Sequence, residues 1–167
     1  MKNATIAIED KRFYEHNGVD WQRTLSAVAM LATGSDSYGG STITQQLIKN
    51  LTTEDDVTVK RKIMEIFRAL EFEKNYSKDD VLEWYLNYIY LGQRCNGVYT
   101  ASYKYFGKHV SQLSLAECAS LISITNNPSL FNPYRTTLDK WGKTGMEQNL
   151  KRRTDTLWMM RNEGYLT

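Results

Sequence analysis

Apolar and polar positions along the chain form short periodic blocks separated by polar, glycine-bearing breaks. The first apolar run, Ile6-Ala7-Ile8, meets Glu9 and Asp10, then Phe13-Tyr14, with His16 and Gly18 in an expected turn. Asp20 is placed to cap the next block, residues 21–32, which has no charge after Arg23 and is apolar on most sides. That block is too short to cross a bilayer, so it is expected as a core helix or one that dips into a membrane interface. Gly34 to Tyr38 read as a polar connector. In the stretch Gly39 to Asn50, Ile43, Leu47 and Leu51 recur at i, i+4 and i+8 and predict a buried stripe. Ser41 or Thr42 caps this helix, and Gly39-Gly40 allow positive φ and close approach of another group. Ser41, Gln45 and Lys49 form one further row, and Thr42, Gln46 and Asn50 another. The helix is thus expected to present hydroxyls, amides and one ammonium at its N-terminal end, where free amide N–H groups favour anions. A capped surface helix with solvated amides reads equally well.

The second half follows the same logic. Thr53 to Asp56 look like a cap with acidic first-turn residues, opening a helix to about Lys74. Ile63, Ile66, Phe67 and Leu70 are its expected apolar stripe, with Glu65 opposite, flanked by Arg61, Lys62 and Arg68. That basic company is expected to keep Glu65 ionised, on a salt-bridged, solvated face. Ser77 to Asp80 repeat the capping-box pattern. Residues 81–91 are apolar nearly all round and predict a central buried helix ended by Gly92, with Glu83 and Asn87 as a core hydrogen-bond network. Helices are also expected from Gly97 to Phe106 with Gly107 as C-cap, and from the Ser114 capping box to about Ile124. Asn126 to Pro133 read as extended turns. The last expected helix begins near Met146, is amphipathic through Leu150, Leu157 and Met160, and closes at Gly164. The sum is an all-α chain of about seven helices, less regular near 17–60.

Composition narrows this picture. A hydrophobic content of 41%, with 11 Tyr and 4 Trp, supplies a core, and two prolines in 167 residues suit helices. A net charge of +2 gives no electrostatic case for nucleic acid. Cys95 and Cys118 have no metal-ligand spacing and are expected in or near the core. There is no run of 18 apolar residues. Candidate chemistry centres on Glu9, because an apolar approach desolvates a carboxyl and suits it to acid–base work. A surface ion pair with Lys11 or Arg12 is the competing reading, and His16 reads as a structural hydrogen bonder.

Four segments together resemble one family: Glu9-Asp10-x-x-Phe13-x-x-His16-x-Gly18, Gly39 through Asn50, Arg61-Lys62-x-x-Glu65, and Leu82-Glu83-x-Tyr85-Leu86-Asn87. Arg152-Arg153 ahead of Leu157 and Met160 is a weaker fifth. In this order they are similar to the peptidoglycan glycosyltransferase domain of penicillin-binding proteins and monofunctional transglycosylases, glycosyltransferase family 51. The resemblance covers nearly the whole chain. It implies a lysozyme-like helical main lobe, a small membrane-proximal lobe (about 17–60) and a cleft between them, within one domain over 1–167. The family's N-terminal transmembrane helix is not in this sequence, which on that comparison looks truncated.

The resemblance implies a substrate, lipid II, and a product, a β-1,4-linked glycan strand made by inversion with release of undecaprenyl pyrophosphate. Glu9 matches the catalytic base, and Glu65 the second catalytic acidic position. Glu65 would orient cations or hold a divalent ion (Mg or Mn); no organic cofactor is implied. Thr42, Gln46 and Lys49 match positions that contact the sugar–pyrophosphate. Asp10, Phe13, His16 and Ser41 fall in the same motifs, as do Lys60, Arg61 and Lys62 on the phosphate side. Glu83 and Asn87 are structural in this reading. Implied partners are lipid II, the nascent strand, the membrane surface and other cell-wall synthesis proteins, at the outer face of the bacterial cytoplasmic membrane. Two departures stand out. Val57 precedes Thr58 where the family often has Arg, which leaves phosphate binding there to Lys60. Gln93 to Gly97 replace a stretch that commonly carries a glycine and an aromatic. A lysozyme-like hydrolase or lytic transglycosylase, and a non-catalytic membrane-surface module, remain the alternatives.

Overall fold

The computed structural model describes residues 1–32, 39–52 and 58–167. The expected connector at Gly34 to Tyr38, the cap at Thr53 to Asp56 and the Val57 departure lie outside the described residues. Among those described there are eight α-helices and one 3-10 turn, with a single isolated bridge between Tyr90 and Asn96. The helices are α1 (Lys2–Glu9), α2 (Trp21–Ala32), α3 (Ile43–Thr52), α4 (Val59–Asn75), α5 (Lys78–Tyr88), α6 (Val98–Phe106), α7 (Leu115–Ile122) and α8 (Gly145–Asn162). The expected all-α class is therefore what the chain adopts.

The chain divides into two compact units: Met1–Ile8 with Leu86–Thr167, and Glu9–Tyr85. The second takes in Glu9, α2, α3, α4 and most of α5. In it α3 packs on α4. Val19, Ile48 and Ala69 form a buried cluster with Ile66, Leu70 and Phe72 partly buried against it. In the other unit α7 packs on α8. That contact is polar as well as apolar: Ser120 donates to the buried Asn149 side chain, and the Ser123 and Thr156 hydroxyls meet at 3.1 Å. Cys95 and Cys118 are buried free thiols.

Local signals explain where helices begin. Ser114 and Glu117 close a reciprocal capping box on α7, as expected, and Thr144 and Glu147 do the same on α8. Ser77 and Asp80 pair in the same way ahead of α5. Gly107 ends α6 in the left-handed region, its amide bonding to Tyr103.

Of the two readings of residues 21–32, the core helix falls away, since Trp21, Leu25, Val28 and Met30 are all about half exposed or more. Three expectations about faces need correction. On α4 the stripe is rotated, with Ile63 and Phe67 exposed while Glu65 and Ala69 are buried. Helix α5 is one-sided: Val81, Leu82 and Tyr85 are buried, but Glu83 and Asn87 face solvent, so no core network forms through them. It ends at Tyr88, before Gly92. On α8, Leu150 is exposed and polar Gln148, Asn149 and Thr156 are buried instead.

Candidate active site

Glu9 is the last residue of α1, and little of it, 8%, is exposed. Its backbone carbonyl accepts a hydrogen bond from the Arg23 guanidinium of α2. Asp10, the next residue, is almost fully buried and ties several elements together. His16 Nε2 lies 3.0 Å from Asp10 Oδ2, the Ile43 amide donates to that same oxygen at 3.0 Å, and Arg23 Nη1 stands 3.9 Å from Oδ1. A carboxylate on the first amide of α3 meets the positive end of that helix. The other His16 nitrogen, Nδ1, is 3.5 Å from Lys78 Nζ. With Lys78 as donor there, Nδ1 accepts and Nε2 carries the proton toward Asp10. Lys78 also pairs with Glu73 at 2.6 Å and lies 4.5 Å from the Phe13 ring centre, and Glu73 in turn accepts from Thr44.

Helix α3 starts at a capping box that spacing did not single out. Thr42 Oγ1 accepts from the Gln45 amide, and Gln45 Oε1 accepts from the Thr42 amide. The Thr42 hydroxyl then donates to the Gly18 carbonyl at 2.6 Å. Gly18 has φ +84°, and a Cβ there would stand 2.4 Å from the Ala69 carbonyl oxygen, so only glycine lets this turn sit against α4. Gly40 has a different reason: a Cβ would meet the Ala27 methyl of α2 at 2.7 Å. The close approach that Gly40 permits is thus to α2.

One turn into α3, Gln46 Nε2 donates to Glu9 Oε2 at 3.0 Å. Its Oε1 accepts from the Tyr85 hydroxyl of α5 at 3.1 Å. Tyr85 is fully buried. Burial first, then the negative charges of Glu9 and Asp10, push its phenol well above the ordinary tyrosine range.

A second cluster joins α4 to the segment before α3. Glu65 is 4% exposed, with Arg61 Nη1 2.7 Å from Oε2 and Lys62 on Oε1. Lys62 Nζ also donates to Ser41 Oγ at 2.7 Å. Buried charges persist only when paired and hydrogen-bonded, and two cations on one carboxylate leave a net positive charge. Lys60, one residue before Arg61, is exposed. A divalent ion on Glu65 does not fit this arrangement, since both carboxylate oxygens already face cations. Among the described residues no group of three or more His, Cys, Asp and Glu is placed to hold a metal ion.

These positions sort the expected site residues by what they touch. Glu9 and Gln46 are joined directly, and Ser41, Arg61, Lys62 and Glu65 form one cluster. Asp10, Phe13 and Thr42 are buried to 1% exposure or less, so they hold the frame and have no surface to offer a ligand. His16 works with them through Asp10. Lys49 is exposed, but it lies in the last turn of α3, so the expected ammonium at the N-terminal end is corrected. Leu51 is exposed and drops out of the α3 stripe. Spacing missed Arg23, Lys78 and Tyr85. Only Tyr85 stood inside a quoted motif, so only it carried a signal.

Residues 1–160 match the family model Transglycosylase. Penicillin-binding protein 1A of Escherichia coli is 44% identical over 168 residues, covering 100% of this chain and 19% of that protein. Penicillin-binding protein 2D of Bacillus subtilis is 48% identical over 132 residues, 78% of this chain and 19% of its own length. Penicillin-binding protein 1A of Clostridium botulinum is 40% identical over 172 residues, 100% of this chain and 20% of its own. The chain thus spans about a fifth of the length of the curated relatives it matches. On the family match over nearly all its length, the chain belongs to the transglycosylase family, the glycosyltransferase domain of penicillin-binding proteins.

Proposed function

We propose that this domain polymerises lipid II into glycan strands. Glu9 takes the proton from the 4-hydroxyl of the acceptor's terminal sugar as that oxygen attacks the anomeric carbon of the donor. The donor's bond to undecaprenyl pyrophosphate breaks, the pyrophosphate leaves with its electron pair, and inversion gives the β-1,4 link. A base on the acceptor side and positive charge on the leaving-group side are what such a transfer needs.

The observation that carries this reading is the carboxylate of Glu9. It is nearly buried and turned by an amide that is itself held by Tyr85. The Arg61–Lys62–Glu65–Ser41 cluster supports the second requirement, with Glu65 keeping two cations in place as a charge-assisted pair of hydrogen bonds. Lys60 and Lys49 are exposed cations that suit the outer phosphate.

The exposed apolar side chains of α2 support a membrane surface as the place of action. No described helix is long and apolar enough to cross a membrane. The outer face of the cytoplasmic membrane, and cell-wall synthesis proteins as neighbours, complete the reading. Incubation with labelled lipid II in detergent tests it. Glycan polymer is the expected product; sugars released from pre-made glycan, with no polymer from lipid II, would assign a hydrolase.

A further inference from the structure

Three groups form a line inside the Glu9–Tyr85 unit: the Tyr85 hydroxyl, the Gln46 amide and the Glu9 carboxylate. An amide can bind in two orientations, and each partner constrains the choice differently. A carboxylate only accepts, so it requires the nitrogen side of Gln46. The oxygen side then faces Tyr85, which has a proton to give. Tyr85 is held at this place by α5, whose buried face also carries Val81 and Leu82. Its surroundings disfavour the phenolate, so the phenol remains a donor wherever the carboxylate is ionised.

We propose that Tyr85 is a positioning residue: by donating to Gln46 Oε1 it fixes the amide so that Nε2 points at Glu9 and sets the plane of that carboxylate. Tyr85 touches no reacting atom in this scheme and acts only through Gln46. Without the hydroxyl, the amide keeps its contact with Glu9 but loses the one that anchors its oxygen. It then swivels about that single contact, and its hold on the plane of the carboxylate loosens. The catalytic side of this inference rests on Glu9 being the base; the geometric side does not.

The test uses Tyr85→Phe, which keeps the ring in its pocket. Thermal unfolding, the kcat and KM of lipid II polymerisation, and the side-chain amide resonances of Gln46 are measured together. The expected outcome is a nearly unchanged melting temperature and a kcat reduced roughly tenfold with little change in KM. The Gln46 amide protons lose part of the downfield shift that contact with a carboxylate gives, as they also do in Glu9→Gln. Unchanged Gln46 resonances in Tyr85→Phe would overturn the proposal, whether or not the rate falls. A rate loss that only tracks a lowered melting temperature would also overturn it. If Glu9→Gln still polymerises lipid II, the base assignment fails, while the resonances still decide whether Tyr85 sets the Gln46 amide. Should Tyr85→Phe not fold, 3-fluorotyrosine at position 85 keeps the shape and makes the hydroxyl a stronger donor. The Gln46 amide resonances should then move away from their wild-type positions, and their constancy would contradict the inference.

Discussion

Asp10 and Glu9 are neighbours in sequence with opposite tasks. Asp10 is buried and satisfies the first amide of α3, His16 and the edge of Arg23, so its role is to hold α3 in place. Asp10→Ala strands a buried amide and a partly buried histidine together. It should cost about 2–4 kcal/mol of stability, measured by urea unfolding. A cost below about 0.5 kcal/mol, the scale of an ordinary surface change, would show that Asp10 is not the tie described. The burial of Glu9 was legible, because the acid follows an apolar run at the end of α1. The burial of Asp10 and Thr42 was not legible, since residue spacing does not say which neighbour a turn folds onto. Thr42 is hidden because its hydroxyl reaches the carbonyl of Gly18, 24 residues earlier in the chain.

Helix starts depend on local chemistry, and they were the most readable elements. The capping residues at Ser77 and Ser114 act within four residues of themselves, and both stand where spacing put them. Helix faces depend on tertiary partners and were less readable. The apolar residues of α4 suggested an inward stripe, yet Val59 is 79% and Phe67 61% exposed, while charged Glu65 is inside. Exposed apolar side chains depart from the usual rule that such groups point inward, and clustered ones mark contact surfaces. Helix α2 shows the same departure at Leu25 and Val28, 66% and 58% exposed. Replacing both by Glu should lower cosedimentation with lipid vesicles about tenfold, since apolar burial is lost twice, with the melting temperature unchanged. Undiminished vesicle binding would remove α2 from the membrane contact.

For the whole molecule, each unit has a carboxylate that titrates below its ordinary value. Burial alone would raise Asp20, but the Arg23 amide and the bidentate Arg12 outweigh it and hold the acid below 3.8. In the other unit, hydrogen bonds first from Lys108 and then from the Ser114 amide hold Glu117 at about 2, against an ordinary 4.5. A carboxylate whose folded value is depressed stabilises the fold fully above its unfolded value, and that gain is lost as pH falls through the folded one. The melting temperature should therefore be flat above about pH 5 and fall steadily from about pH 4.5 toward pH 2. In Glu117→Gln the fall should be shallower. A melting temperature that rises on acidification would contradict the assignment. The all-α class and the order of the helices were legible because periodicity repeats along each block. The division at Glu9 and Tyr85 was not, because it depends on contacts between distant segments.

The central claim is that Glu9 removes the proton from the acceptor hydroxyl. Its most direct measurement is initial-rate polymerisation of labelled lipid II by the parent chain and by Glu9→Gln, with matched melting curves. The rate should fall by about a hundredfold or more in the variant, with the fold intact. Polymer formed at the parent rate by a folded Glu9→Gln chain would contradict it.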